Sequence, residues 1–277
     1  MKMPWKIKSA VFRFIDVFSA YFLLNILQKF ISRRASLKAV KLNENWRLHE
    51  QTLLKYDSIK YVLEIGAGQS LAQNFYLSAV CEKQLLIDAY QILDLSLANR
   101  AVDFLFSVGR LKEGGPLTSI SDLARYGMEY RAPADINSIF ENDNSFDAVI
   151  STDTFEHIPL SELRVMILDL KRIVKVGGIL SFCIDYSDHY SHTDPSISDL
   201  NFLRYSESEW SRYNHSCHYQ NRARHYDYRE LFLEAGFSLV EDRILTYSKD
   251  YVASARNDSV NYEENFATSG HFVLQLL

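Results

Sequence analysis

The sequence predicts an open α/β sheet, doubly wound and mostly parallel, with helices on both faces. Three observations carry that prediction. Short apolar runs alternate with segments of helical spacing from Tyr61 onward, the first run ends in a glycine corner, and the last two runs follow one another without a helix between them. A chain of 277 residues with 47% hydrophobic content is long enough to bury a sizeable core.

The N-terminal stretch "KSAVFRFIDVFSAYFLLNILQKFISRR" predicts a helical extension over residues 1–45. Its longest uncharged run, Val17 to Gln28, is twelve residues, too short to cross a bilayer. Arg13 and Asp16 interrupt what would otherwise be a signal-peptide core. Two arrangements stay open: a helix packed on the domain or a second subunit, and a helix in a membrane interface. The second would place peripheral contact in residues 1–34, with basic ends near anionic head groups. The main domain is expected over residues 46–277. "KYVLEIG" reads as a strand, "LAQNFYLSAV" as a helix and "QLLID" as the next strand. "FDAVIST", the amphipathic "SELRVMILDLKRIV" and "GILSFCID" repeat the strand–helix–strand pattern. "FSLVEDRILTY" and "HFVLQLL" then pair antiparallel at one edge. The polar segment around Ser187 to Arg224 is too long for an ordinary connection and is expected to form a substrate lid over residues 186–225.

Charge and cysteines narrow the class. A formal net charge of −5 gives no electrostatic footprint for nucleic acid. Cys81, Cys183 and Cys217 are far apart and form no CxxC pair, which favours a reducing, cytoplasmic compartment and gives no structural zinc motif.

The corner "YVLEIGAGQS" decides the ligand. Gly66 and Gly68 let the backbone approach a ligand closely, as in dinucleotide sites. The dinucleotide fingerprint needs a third glycine at position 71, where this chain has Leu. It also aims a helix N-terminus at a pyrophosphate, beside which Glu64 would be unfavourable. An acid at that strand tip suits a ligand with a positive end, such as the ammonium and sulfonium of S-adenosylmethionine. Asp88, after the second strand, can accept ribose hydroxyls. Asp135 precedes the fourth strand, where a carboxylate can accept an adenine amino group.

With "FDAVISTDTFEHIP" and "LKRIVKVGGILSF" added, the chain resembles the class I S-adenosylmethionine-dependent methyltransferases from about Tyr61 to Phe237. Their pattern is an acidic-Gly-x-Gly turn, an acid after the second strand, an "FDxVxS…EH" fourth strand and an "LKPGG" turn. Ser70 and Val176 depart from it. The resemblance implies a seven-stranded Rossmann-like sheet with an antiparallel C-terminal edge strand, and S-adenosylmethionine as cofactor. It places Glu64, Gly66 and Gly68 at the methionine end, Asp88 at the ribose, Asp135 at the adenine, and Ser151 and Thr152 near the sulfonium.

Methyl transfer to a hydroxyl needs a general base, whereas a neutral amine needs only its lone pair. His189, His157 and His192, in that order, are the candidate bases. His189, His192 and Asp194 together resemble a metal donor set, but their spacing matches no strong motif, so no metal is expected. The rings and guanidiniums of "LNFLRYSESEWSRYNHSCHYQNRARHYDY" suit a polyhydroxylated or anionic small acceptor. The expected acceptor is a sugar, nucleotide-sugar or lipid-linked glycan. A lipid or quinone-like acceptor, and a non-catalytic binding protein, are the alternatives. An oligomer is compatible with either helix arrangement.

Overall fold

A computed structural model describes residues 3–18, 41–56, 59–139, 143–250 and 262–277. The strands are β1 (Tyr61–Ile65), β2 (Lys83–Ile87), β3 (Met128–Arg131), β4 (Phe146–Thr152), β5 (Val174–Asp185), β6 (Ser238–Tyr247) and β7 (Ala267–Gln275). They form one seven-stranded sheet in the order β3-β2-β1-β4-β5-β7-β6. The first five run parallel, and β7 is antiparallel to both β5 and β6. The reversed pair predicted from the tail is therefore present, with β6 at the edge and the last strand inserted beside β5. Chain order reverses between β1 and β4, and the crevice at such a switch point is where open α/β sheets bind ligands.

The central strands read as continuous apolar runs because both of their faces are covered. Leu63, Leu85, Val149 and Leu180 pack with Leu163, Ile167 and Leu170 of one helix and with Tyr228 and Phe232 of another. Val62, Leu86, Ala148 and Ile150 pack on the opposite face with Leu53, Phe75, Ala98 and Val102. The helices are α1 (Trp5–Val17), α2 (Glu44–Leu54), α3 (Ala72–Leu77), α4 (Leu95–Ser107), α5 (Leu160–Ile173) and α6 (His225–Glu234), with single turns between them. Asn43 caps α2 by accepting from Asn45 N at 2.9 Å, and Asp94 caps α4 by accepting from Ser96 N at 2.8 Å.

Helix α1 lies on the lid segment. Asp194 Oδ2 accepts from Trp5 N at 2.8 Å, and Ser9 Oγ meets His215 Nε2 at 2.9 Å. Asp16 accepts from Ser216 N at 2.7 Å. The Trp5 ring sits among Tyr190, Tyr205, Trp210 and Tyr213. Residues 5–17 thus take the packed arrangement. The outward side of α1 keeps Ile7, Phe14, Val17 and Phe18 exposed. The rest of the apolar run to Gln28 lies outside the described residues. Among the described residues no helix is long and apolar enough to cross a membrane.

This packing bears on one expectation about the insert. Tyr205, Trp210 and Tyr213 pack on Trp5, and two of its guanidiniums reach backbone carbonyls: Arg222 donates to Phe202 O and Tyr205 O, and Arg224 to Tyr186 O. They hold the insert's own shape. A segment with few regular hydrogen bonds must satisfy its carbonyls with side chains.

Candidate active site

The C-terminal ends of β1, β2 and β4 open onto a cavity of about 1030 Å³. It is lined by Glu64, Gly66, Gly68, Asp88, Asp135 and Thr152, six of the seven residues assigned to the cofactor by sequence. The seventh, Ser151, is a correction. It is buried, does not line the cavity, and donates to Ile65 O at 2.8 Å. Alternation along a strand explains this, since Thr152 points into the crevice and its neighbour points away.

The glycine corner has the geometry that its function requires. Gly66 and Gly68 hold φ near +78° and +80°. A Cβ at Gly66 would overlap the Thr154 side chain, whereas a Cβ at Gly68 would meet no atom within 4 Å. Gly68 therefore borders the open space a ligand would occupy. Leu71, at the position of the missing third glycine, adopts φ 50°. That conformation costs about 1–2 kcal/mol in a non-glycine residue, and Leu71 offsets it by being 1% exposed in the core.

Glu64 is 2% exposed and accepts from Gln73 Nε2 at 2.7 Å and from Asn74 Nδ2. Burial pushes its carboxyl up to about 8, with the Asp88 charge adding to the shift and the two amides opposing it. Asp88 accepts from Gly68 N at 3.1 Å and from Tyr130 Oη at 3.0 Å. Burial raises its carboxyl too, against those two donors. Asp135 is exposed on the cavity rim with Asn137.

Behind Glu64 runs a buried chain of hydrogen bonds with one direction. Gln73 donates its amide to Glu64, so its carbonyl accepts from Thr152 Oγ1 at 3.0 Å. Thr152 then accepts from His49 Nε2 at 2.9 Å, and His49 Nδ1 accepts from Ser181 Oγ at 2.8 Å. Ser181 in turn accepts from His271 Nε2 at 2.9 Å, which leaves His271 Nδ1 buried and without a partner. Both imidazoles are neutral. Burial holds His49 well below its ordinary value and His271 at about 4. Sequence reasoning missed His49 and Trp46, which also lines the cavity; the signal was their i,i+3 spacing on the capped helix α2.

Beyond Asp153 the cavity runs along α5, lined by His157, Ser161, Glu162, Val165, Met166 and Asp169. Asp153 adopts φ 49° at the end of β4, and burial pushes its carboxyl up to about 6, with Asp185 adding to the shift. His157 donates Nδ1–H to Tyr219 O at 2.9 Å, which leaves a lone pair on Nε2. Burial holds its imidazole below the ordinary value. His189 and His192 do not line the cavity. They sit one layer behind His157, with Nε2 atoms 3.4 and 3.7 Å from Asp185 Oδ2. Asp194 is absent from this group because it caps α1, so the donor set His189–His192–Asp194 does not assemble and Asp185 stands in its place.

A methyltransferase domain model matches residues 121–182, which span β3, β4, α5 and most of β5. No curated protein matches the chain. Solved structures share its fold at low identity. Phosphoethanolamine N-methyltransferase 2 of Haemonchus contortus, in complex with S-adenosyl-L-methionine, is 14% identical with a TM-score of 0.50. The match covers 87% of this chain and 54% of that one. A Methanosarcina mazei S-adenosylmethionine-dependent methyltransferase is 14% identical, with 86% and 99% covered and a TM-score of 0.49. A Haloferax volcanii methyltransferase in complex with its Trm112 activator is 14% identical, with 95% and 97% covered and a TM-score of 0.48. The fold is the Rossmann-like methyltransferase fold. The methyltransferase-domain match covers residues 121–182 of the 277, and the sheet carries the corresponding fold.

Proposed function

We propose that the enzyme methylates a hydroxyl of a small, neutral polyhydroxylated acceptor, a sugar or glycan unit, with His157 as general base. The observation that carries this reading is His157 in the cavity lining, its Nδ1–H tied to Tyr219 O and its Nε2 left as the acceptor, 3.9 Å from Glu156 Oε1. S-adenosylmethionine supplies an electrophilic methyl on a good leaving group, so the chain's own work is to orient the acceptor and take its proton. Glu64 would hold the methionine ammonium, Asp88 the ribose and Asp135 the adenine edge. Asp153, Ser161, Glu162 and Asp169 offer acceptors for sugar hydroxyls, and Ile158, Val165 and Met166 an apolar side for a ring face.

The charge of the lining refines the expected acceptor. None of the described lining residues is Lys or Arg. A nucleotide-sugar or lipid-linked sugar would therefore keep its phosphates outside the cavity and present only its neutral end. The exposed Ile7, Phe14, Val17 and Phe18 on α1 support a lipid-linked acceptor reached through peripheral membrane contact. Flotation of the full chain with anionic vesicles tests that contact.

The central test is transfer of labelled methyl from S-adenosylmethionine to a panel of neutral glycosides. H157Q should lower kcat by about 10²–10⁴-fold and leave the affinity for S-adenosylmethionine unchanged. An unimpaired kcat would remove His157 from the chemistry.

A further inference from the structure

Glu156 is a buried acid whose carboxyl burial raises well above its ordinary value, with His157 Nε2 3.9 Å from Oε1. It follows β4 in the short helical turn Phe155–His157, is 1% exposed, and neither carboxylate oxygen has a hydrogen-bond partner. Backbone amides of Glu156 and Asp185 face it without completing a bond. His189 Nε2 is likewise buried without a hydrogen-bond partner. A buried charge left in this way costs several kcal/mol unless a cation or a proton answers it.

The donors around His189 have the spacing of a coordination shell. Asp185, His189 and His192 bring one donor atom each within 4.8 Å of one another, and so do Glu156, His157 and His189. Two ligands about 2.1 Å from one ion stand roughly 3.0–3.4 Å apart at octahedral and tetrahedral angles. Asp185 Oδ2 is 3.4 Å from His189 Nε2 and 3.7 Å from His192 Nε2, so small rotamer changes suffice. Ser187 Oγ lies 3.1 Å from His192 Nε2 and would turn aside on coordination. A further triplet, His49, Cys183 and His271, is a poorer candidate because its imidazoles are already engaged with Ser181 and Thr152.

We propose that Asp185, His189 and His192 bind one divalent metal ion behind the His157 wall. One carboxylate and two imidazoles suit Mn²⁺ or Zn²⁺ more than Mg²⁺ or Ca²⁺, which favour all-oxygen shells. The ion would answer the Asp185 charge and the unpaired His189 Nε2 together. Its role in the reaction rests on the acceptor reading above: it would fix the His189 ring, whose centroid is 4.9 Å from that of His157, and so the position of the cavity wall. Its binding does not depend on that reading.

The test uses the full-length protein after chelator treatment, titrated with Mn²⁺ and followed by electron paramagnetic resonance. One saturable Mn²⁺ per chain is expected, with a rise in melting temperature of the wild-type protein. D185N and H189Q should each weaken Mn²⁺ at least tenfold while binding S-adenosylmethionine as tightly as wild type, which also reports that they fold. Absence of saturable binding to the wild-type chain overturns the proposal, as does binding that both variants retain. Because cofactor affinity is read separately, a failure here leaves the methyltransferase assignment standing.

Discussion

Glu64 makes cofactor binding depend on pH in a way that can be worked out. In the ligand-free cleft its carboxyl sits at about 8, mainly because burial penalises the anion. A donor carrying an ammonium needs that anion. Its affinity should then scale with the fraction of Glu64 ionised, about one-tenth at pH 7 and about one-hundredth at pH 6. The bound cation lowers the Glu64 value, so binding near pH 7 should release close to one proton. The cofactor's own ammonium titrates as well, but it does so identically in E64Q, where Gln73 and Asn74 keep an acceptor. The ratio of wild-type to E64Q association constants therefore isolates Glu64. Calorimetry from pH 5.5 to 8.5 should show this ratio rising about tenfold per pH unit and levelling near pH 8. Repeating the titration in buffers of different ionisation enthalpy counts the proton. A ratio that stays flat across the range, or a binding event without proton release at pH 7, would refute the reasoning.

Glu64 also sets a stability trend. Its folded value is raised from 4.5 to about 8, so its favourable contribution is complete below pH 4.5 and is lost as pH rises to 8. Without cofactor, E64Q should gain on wild type by at most about 1.4 kcal/mol per pH unit across that window, read by urea denaturation. G66A should destabilise by about 1–3 kcal/mol, because its Cβ overlaps Thr154 at a left-handed φ, whereas G68A should show mainly lost cofactor affinity. H49A leaves Ser181 and Thr152 each short of a buried partner and should cost about 1–3 kcal/mol, with only a small change in cofactor affinity. D194A removes the side-chain acceptor on Trp5 N and should cost about 1 kcal/mol, with faster proteolysis inside α1.

Sheet order and the glycine corner were readable because both depend on local sequence. A parallel sheet buried on two faces must be written as apolar runs, and a backbone that approaches a ligand needs residues such as Gly66 and Gly68. Leu71 shows where that logic stops. The left-handed backbone persists without glycine because the core holds the side chain, a tertiary effect that no local rule displays. The insert shows the same limit. Tyr, Trp and Arg bind ligands and satisfy irregular backbone with the same groups, and only the position of Trp5, on a helix roughly two hundred residues earlier in the chain, separates the two uses.

The histidines carry the lesson further. His49, His157 and His189 look alike in sequence, yet their neighbours give each a different state. His49 sits inside a chain whose donors all point toward Glu64, so both its nitrogens are occupied and it can only orient Thr152. His157 has one nitrogen tied to a carbonyl and the other 3.9 Å from Glu156 Oε1. His189 faces Asp185 with its Nε2 unsatisfied. The roles proposed for the three rings thus differ by what holds the second nitrogen of each, and those partners come from Tyr219 in the insert and from Ser181 and Asp185 on β5. The Tyr219 backbone carbonyl does the holding, so a substitution of the Tyr219 side chain should leave the His157 Nδ1 contact in place. If His157 is the base, the insert on which α1 packs takes part through its backbone.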